Sequence, residues 1–113
     1  MKIYIGSDHA GYDRKNEIIE FLKESTYGIL VCYTGIGMSI TANKFKGIRA
    51  SLVGSVEDAI LTKEHNDSNV LCLSAKNTNK DLTLEIVDAY LKAEFTHGRH
   101  ERRVNKILEI ENE

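Results

Sequence analysis

Short apolar runs alternate along this chain with longer stretches in which apolar residues recur at helical spacing. The runs have the length and composition of β-strands and cover Lys2–Ile5, Ile29–Tyr33, Ile48–Val53 and Val70–Leu73. The stretches between and after them predict helices over Tyr12–Lys23, over Met38–Phe45, after a cap at Ser55, after a cap at Asp81 and over Arg103–Ile110. Strands that alternate with helices form right-handed βαβ units, so the pattern predicts an α/β fold with a parallel sheet covered on both faces.

The composition is typical of a single globular domain. The 113 residues leave room for one domain, 1–113, and 15 Lys and Arg against 17 Asp and Glu argue against a broad nucleic-acid surface. No apolar run reaches the ~18 residues of a membrane span, and the N-terminus turns polar too early for a signal peptide. Cys32 and Cys72 lie inside apolar runs, which suits reduced thiols and predicts a cytoplasmic protein.

Polar residues follow three of the predicted strands. In open parallel sheets, ligands bind beyond the carboxyl ends of the strands. That rule selects Ser7–His9, the loop from Cys32 to Ser39, and Gly54–Ser55 as candidate positions for a site.

The loop from Cys32 to Ser39 carries the richest chemistry. Gly35 and Gly37 let the backbone approach a ligand, and the N–H groups that begin the next helix would stabilise an anion or a developing oxyanion. The same positive end favours a thiolate at Cys32, which could act as a base or a nucleophile. A buried structural cysteine is the alternative, and it is the favoured interpretation for Cys72. A cysteine-phosphatase loop would need Arg where Met38 stands, and a dinucleotide-binding loop would need a third glycine.

Two histidines and a pair of arginines complete the candidate chemistry. Asp8-His9 and His65-Asn66 supply groups able to move protons near neutral pH, although each histidine alone is more often a surface or capping residue. Arg99 and Arg103 share one helix face, where they form either a phosphate clamp or the solvated start of a helix. No spacing of His, Cys and Asp resembles a zinc or iron site, so chemistry without a metal is expected.

Several segments occur in the order found in the ribose-5-phosphate isomerase B family, which the chain resembles over nearly its whole length. They are Gly6–Gly11, Cys32–Ser39, Ala42–Lys44, Gly47–Ala50, His65–Leu71 and Gly98–Val104. The wider family includes allose-6-phosphate and galactose-6-phosphate isomerases. The resemblance implies a flavodoxin- or Rossmann-like three-layer sheet, a C-terminal helix that packs on a partner subunit, and a homodimer or tetramer with shared active sites.

The resemblance also implies an aldose–ketose isomerisation of a small phosphorylated sugar, ribose 5-phosphate, through an enediolate and without a metal or cofactor. Three residues would serve the proton transfers: Cys32 as the base between C1 and C2, Thr34 between the two oxygens, and His65 in opening the sugar ring. The residues implied in substrate binding are Asp8 and Asn66 at sugar oxygens, Gly35, Ile36, Gly37 and Ser39 through their N–H groups at the enediolate, and His9, Lys76, Arg99 and Arg103 at the phosphate.

Three positions depart from the family. Between Tyr27 and Gly28 the family has a further strand, a helix and an Asp-Tyr-Pro segment, so we expect a strand–helix segment to be missing there. Tyr33 stands where the family has Gly, and its ring is expected to crowd the sugar. Lys76 stands where the family usually has Arg. Lysine keeps the charge but loses the two-pronged geometry of a guanidinium, so weaker phosphate binding is expected.

Two other functions are compatible with the same residues. One is isomerisation of a six-carbon sugar phosphate, allose 6-phosphate or galactose 6-phosphate. The presence of Cys32 favours ribose 5-phosphate, because galactose-6-phosphate isomerase subunits commonly lack that cysteine. The other function is sugar-phosphate binding without catalysis. Neither a nucleic acid nor a membrane is expected as a partner.

Overall fold

Strands and helices alternate along the structure, a computed structural model that describes residues 1–7 and 14–113 and, for Lys15, the backbone alone. The elements are β1 (Ile3–Ser7), α1 (Arg14–Glu24), β2 (Tyr27–Cys32), α2 (Ile36–Ala42), β3 (Ala50–Leu52), α3 (Val56–Asn66), β4 (Val70–Ser74), α4 (Lys80–Lys92) and α5 (Arg99–Glu111). The predicted α/β class is therefore confirmed.

The described residues form one sheet of four parallel strands in the order β1-β2-β4-β3. Because the strands are parallel, their carboxyl ends lie along one edge of the sheet, here called the carboxyl edge. Ser7 pairs with Val31, and Cys32 pairs with Ser74, so the ends of β1, β2 and β4 are neighbours there. The opposite edge, where the strands begin, is called the amino edge.

Helices cover both faces of the sheet, and alternate strand residues point to each layer. On one face, α1 and α2 bury Ile18, Phe21, Met38 and Ala42 against Leu30 and Cys72. On the other face, α3 and α4 bury Ala59, Ile86 and Tyr90 against Ile29, Leu71 and Leu73. All five residues of β4 are buried, which explains why that strand is apolar without alternation.

Of two helix caps predicted from the sequence, one is confirmed and one is wrong. Ser55 caps α3, because its hydroxyl accepts the N–H of Asp58 at 3.1 Å. The predicted cap at Asp81 is wrong: Asn79 caps α4, and its Oδ1 accepts the N–H of Leu82 at 2.8 Å. Asn is as good a cap as Asp and comes earlier in the chain, so Asp81 falls inside the first turn, where its charge favours the helix.

Other boundaries move by a few residues. The helix predicted over Met38–Phe45 is α2 and ends at Ala42, because both side-chain amide atoms of Asn43 bond the backbone of Ala50 at 2.8 and 2.9 Å. The C-terminal helix begins earlier than predicted, at Arg99, because Gly98 turns the chain with a φ of 60°. The basic cluster thus forms the first turns of α5.

Tyr27 and Gly28, between which a missing segment was predicted, are consecutive residues of β2. The chain between β1 and β2, which includes α1, connects them as a parallel pair, with Ile3 opposite Tyr27. The sheet of the described residues is therefore continuous across this position.

Helix α5 packs on α3 of its own chain at the amino edge. Thr96, just before α5, donates both its N–H and its hydroxyl to the carbonyl of Glu64, and the Glu111 carboxylate accepts the N–H of Gly47 at 2.8 Å. Val104 is buried in this contact, whereas Ile107 is exposed. Packing of α5 on a partner subunit stays a prediction.

In the described ranges no helix is long and apolar enough to cross a bilayer.

Candidate active site

The loop after β2 holds the thiol of Cys32 at the carboxyl edge. Cys32 is the last residue of β2 and keeps 7% of its surface exposed. Its Sγ accepts the N–H of Gly35 at 3.1 Å. Gly35 has a φ of 80°, a left-handed conformation that glycine adopts without strain, and this turn folds the loop back over the sulfur. The thiol is therefore fixed at the carboxyl edge, beside the loop that leads into α2.

The next residues turn directly into α2. The hydroxyl of Thr34 accepts the N–H of Ile36 at 3.3 Å, and the hydroxyl of Ser39 donates to the carbonyl of Ile36 at 2.8 Å. The N–H of Ser39 donates to the carbonyl of Gly35. The N–H groups of Gly35, Ile36 and Ser39 thus have acceptors inside the loop and the helix. Those of Gly37 and Met38 have none among the described residues.

Lys76 lies at the same edge as the thiol. The chain after β4 bonds to the end of β2: Ala75 donates its N–H to the carbonyl of Cys32 at 2.9 Å, and Lys76 donates to that of Tyr33 at 2.8 Å. The Lys76 ammonium stands 5.9 Å from the centre of the Tyr33 ring, and 69% of Tyr33 is exposed. A cation therefore stands beside the loop, as a phosphate-binding role requires.

Asp8 and His9 lie outside the described residues. Ser7, which precedes them, ends β1 beside β2 at the carboxyl edge. Their predicted roles at sugar hydroxyls and at the phosphate stay predictions.

His65 and Asn66 lie at the opposite, amino edge of the sheet. Helix α3 runs antiparallel to the strands and ends at Asn66. The next residue, Asp67, accepts a hydrogen bond from the side chain of Arg49, which stands just before β3, at 2.8 Å. From Gly28, near the start of β2, to Cys32 is about 13 Å along the strand at roughly 3.3 Å per residue. The structure therefore does not bring His65 and Asn66 to the thiol of the same chain.

Arg99 and Arg103 lie beside His65, also away from the thiol. The rings of His65 and His100 are stacked, with centroids 4.1 Å apart and planes at 11°. His100 is 9% exposed, and its Nδ1 has no hydrogen-bond partner among the described residues. Burial first, then His65, Arg99 and Arg103, lower the pKa of His100. These four residues form one cluster, called the amino-edge cluster: His65, His100, Arg99 and Arg103.

Two cavities lined by described residues adjoin α3 and β3, and Cys32 lines neither. The larger, about 600 Å³, lies between β3, α3 and α5 and includes Asn66 and Arg49. The smaller, about 260 Å³, includes both His65 and Asn66. These side chains therefore border open space that a second molecule can enter.

Cys72 shows what a structural cysteine looks like in this fold. It lies in the middle of β4 and is fully buried. Burial, with a smaller effect of Cys32, raises the pKa of its thiol to about 12. The structural interpretation given to Cys72 from the sequence agrees with this position.

Sequence reasoning missed two residues. Arg14 lies against Gly37, and a methyl group built on Gly37 would fall 2.5 Å from a guanidinium nitrogen. His100 belongs to a segment that suggested the family, but only the structure shows its stacking on His65. Arg14 carries no sequence signal that separates it from a solvated helix residue, since its contact is with a residue more than twenty positions away.

Comparison with known proteins decides the family. The family model described as Ribose/Galactose Isomerase matches residues 23–107, which is most of the chain. The chain belongs to the ribose/galactose isomerase family. The predicted family resemblance is thereby confirmed, and so is the prediction that the chain is an aldose–ketose isomerase by descent.

One relative within the ribose/galactose isomerase family matches over nearly its whole length. A probable ribose-5-phosphate isomerase B of Mycoplasma genitalium is 36% identical over 148 residues, covering 100% of this chain and 97% of the relative. The alignment is longer than the 113 residues of this chain, so the relative has residues without a counterpart here. That they fall between Tyr27 and Gly28 stays a prediction.

Solved structures of the family share the fold. Ribose-5-phosphate isomerase B of Clostridium thermocellum is 43% identical, with a TM-score of 0.83, and the match covers 99% of this chain and 98% of that one. The Mycoplasma genitalium enzyme, solved with bound ribulose-5-phosphate, is 32% identical with a TM-score of 0.89, covering 98% and 96%. The Rossmann-like expectation is therefore confirmed.

Proposed function

We propose that this protein interconverts ribose 5-phosphate and ribulose 5-phosphate, with Cys32 as the base. The observation that carries the proposal is the Cys32 thiol at the carboxyl edge, held by the Gly35 N–H at 3.1 Å beside two amides that have no acceptor among the described residues. Support comes from the family, one member of which was solved with ribulose-5-phosphate bound.

Cys32 moves one proton between neighbouring carbons. Its thiolate takes the proton from C2 of the open-chain aldose, and the electron pair shifts through the C1–C2 bond onto the carbonyl oxygen, forming an enediolate. Return of the proton at C1 and movement of a hydroxyl proton from O2 to O1 give the ketose. C1 is reduced and C2 is oxidised within one molecule, so the balance closes without another reactant.

The loop serves the oxygens of the enediolate. The N–H groups of Gly37 and Met38, which have no acceptor within residues 1–7 and 14–113, donate to the oxygen that gains charge, whereas those of Gly35 and Ile36 are bonded inside the loop. Donors that are fixed before the reaction stabilise developing charge without a cost of reorganisation. The hydroxyl of Thr34, which belongs to the same loop, carries the proton between the two oxygens.

The complete site is shared between two copies of the chain. A base must lie about 3–3.5 Å from the reacting carbon, and a group that opens the sugar ring must reach the ring oxygen two bonds away. His65 lies at the amino edge and Cys32 at the carboxyl edge. His65 therefore cannot serve the same sugar molecule as the Cys32 of its own chain. In a dimer, the amino-edge cluster and Asn66 of a second copy reach the carboxyl edge of the first. Arg99 and Arg103 then join Lys76 at the phosphate.

The proposal is tested by isomerisation of ribose 5-phosphate, followed by the appearance of the ketose. Cys32→Ala is expected to lose about 10²–10⁴-fold in kcat, the usual contribution of a general base. Cys72→Ala is the matched control and keeps its activity, because that thiol is fully buried in the middle of β4 and is not part of the loop.

Three results would contradict parts of the proposal. Full activity in Cys32→Ala would exclude the assigned base. Binding of ribose 5-phosphate without turnover by the unchanged protein would make the chain a sugar-phosphate-binding homologue. Faster turnover of allose 6-phosphate or galactose 6-phosphate than of ribose 5-phosphate would assign it to six-carbon sugars.

A further inference from the structure

The guanidinium of Arg14 lies directly against the loop that holds the thiol. A methyl group built on Gly37 would fall 2.5 Å from Nη1, 2.6 Å from Cζ and 2.7 Å from Nη2 of Arg14. The whole guanidinium therefore occupies the space that a side chain at position 37 would take. Gly37 is two residues from Gly35, whose N–H binds the sulfur of Cys32. The cation and the thiol thus border the same short loop.

Helix packing fixes Arg14 at this place. Arg14 and Ile18 are four residues apart on α1 and so share one helix face. Ile18 and Phe21 are buried in one cluster with Met38 and Ala42 of α2. The same contact that joins the two helices therefore holds the start of α1 against Gly37, while the Arg14 side chain remains accessible to solvent.

The charge of Arg14 stands where the local potential is already positive. Arg14 is the first residue of α1, where the helix dipole is positive and acidic side chains are preferred. A guanidinium there adds positive charge to a positive end, beside the amide of Gly37 that the proposed function assigns to the enediolate. This positive potential beside Gly37 favours an anionic group on the ligand.

We propose that Arg14 binds the enediolate, donating hydrogen bonds to the oxygen that becomes negative when Cys32 removes the proton. This inference rests on the proposed isomerisation. Arginine stays protonated throughout, so it acts as a fixed cation and takes no part in the proton transfers. Because the charge on this oxygen exists only during the reaction, the contact stabilises the transition state more than the bound sugar.

The kinetic test compares Arg14→Leu with Arg14→Lys. Loss of a charged hydrogen bond to a developing oxyanion is expected to lower kcat of Arg14→Leu by roughly 10- to 100-fold, with KM changed less than about threefold. Arg14→Lys should retain an intermediate kcat, because it keeps the charge but not the planar donor pair. Arg102→Leu removes an exposed arginine of α5 outside the proposed site and should match the unchanged protein.

A second measurement separates binding from a purely structural contact. Guanidinium ion added to Arg14→Ala should restore part of kcat, because it can occupy the vacated space beside Gly37. A phosphate-bearing analogue with a hydroxamate in place of C1 and C2 should bind the unchanged protein roughly 10-fold or more tightly than Arg14→Leu. A packing role alone would give neither rescue nor a difference in affinity.

The outcomes distinguish this inference from the proposed function. A rise in KM with kcat unchanged would place Arg14 at the phosphate and overturn the inference, as would an equal loss in Arg102→Leu. If the unchanged protein shows no isomerisation, the proposed function fails. The affinity ratio for the hydroxamate then decides on Arg14, and absence of binding refutes both.

Discussion

The Cys32→Ala and His65→Ala variants should each be inactive alone and should regain activity when they form mixed dimers. Cys32 ends β2 at the carboxyl edge, whereas His65 ends α3 at the amino edge. Suppose that one sugar is served by Cys32 of one copy and His65 of the other. A dimer of one Cys32→Ala chain and one His65→Ala chain then has one intact site and one site with both defects. Each variant alone has two defective sites.

The size of the effect follows from the geometry. Random pairing of equal amounts gives mixed dimers in about half of the population, each with one intact site, so about a quarter of wild-type activity is expected. The two groups need to come within a few ångströms of adjacent sugar atoms, whereas the length of β2 alone separates the edges by about 13 Å. The assay measures ribulose 5-phosphate formation after the two variants are unfolded together in urea and refolded.

The control uses two defects at the same edge. Thr34 belongs to the same loop as Cys32, so a Cys32→Ala/Thr34→Ala mixture contains no intact site in any pairing and should remain inactive. If the Cys32→Ala/His65→Ala mixture is no more active than its components, the two residues do not serve one site across an interface. A site shared between two copies of the chain would then be excluded.

Three further predictions concern the loop, the amino-edge cluster and the phosphate. Gly35→Ala should lose activity and about 1–3 kcal/mol of stability on urea unfolding, because alanine is strained at a φ of 80°, whereas Gly54→Ala, with no atom within 4 Å, should retain both. Burial lowers the pKa of His100 below its usual 6.5. Just below that pH the unfolded state therefore binds more protons than the folded state, so the melting temperature should fall as the pH drops through this range. The fall should be smaller in His100→Gln. Lys76→Arg should lower KM for ribose 5-phosphate, because a guanidinium can bind two phosphate oxygens; an unchanged KM would exclude Lys76 from the phosphate.

The fold was predictable because its signals are local. Apolar strands such as Val70–Leu73 and the cap at Ser55 depend on neighbouring residues alone, and both lie where the sequence predicts them. Boundaries shifted where a side chain from another part of the chain intervenes. Asn43, for example, bonds the backbone of Ala50 and ends α2 early.

The turn after β2 was predictable from the sequence, whereas the positions of His65 and Arg14 in the fold were not. Cys32, Thr34 and Gly35 are consecutive or nearly so, and their mutual contacts follow from that spacing. The position of His65 depends on the direction in which α3 crosses the sheet, which places it opposite the thiol. The contact of Arg14 with Gly37 depends on how two helices pack, and a pattern of apolar residues does not specify which polar group lies at the end of such a contact.

A crystal structure of Cys32→Ala with ribose 5-phosphate bound tests the proposed site most directly. C1 and C2 of the sugar should lie within about 4 Å of the alanine methyl, near the N–H groups of Gly37 and Met38. His65 of a neighbouring copy should lie at the ring oxygen. A sugar bound in the amino-edge cavity, or one served by His65 of the same chain, would contradict the proposed site.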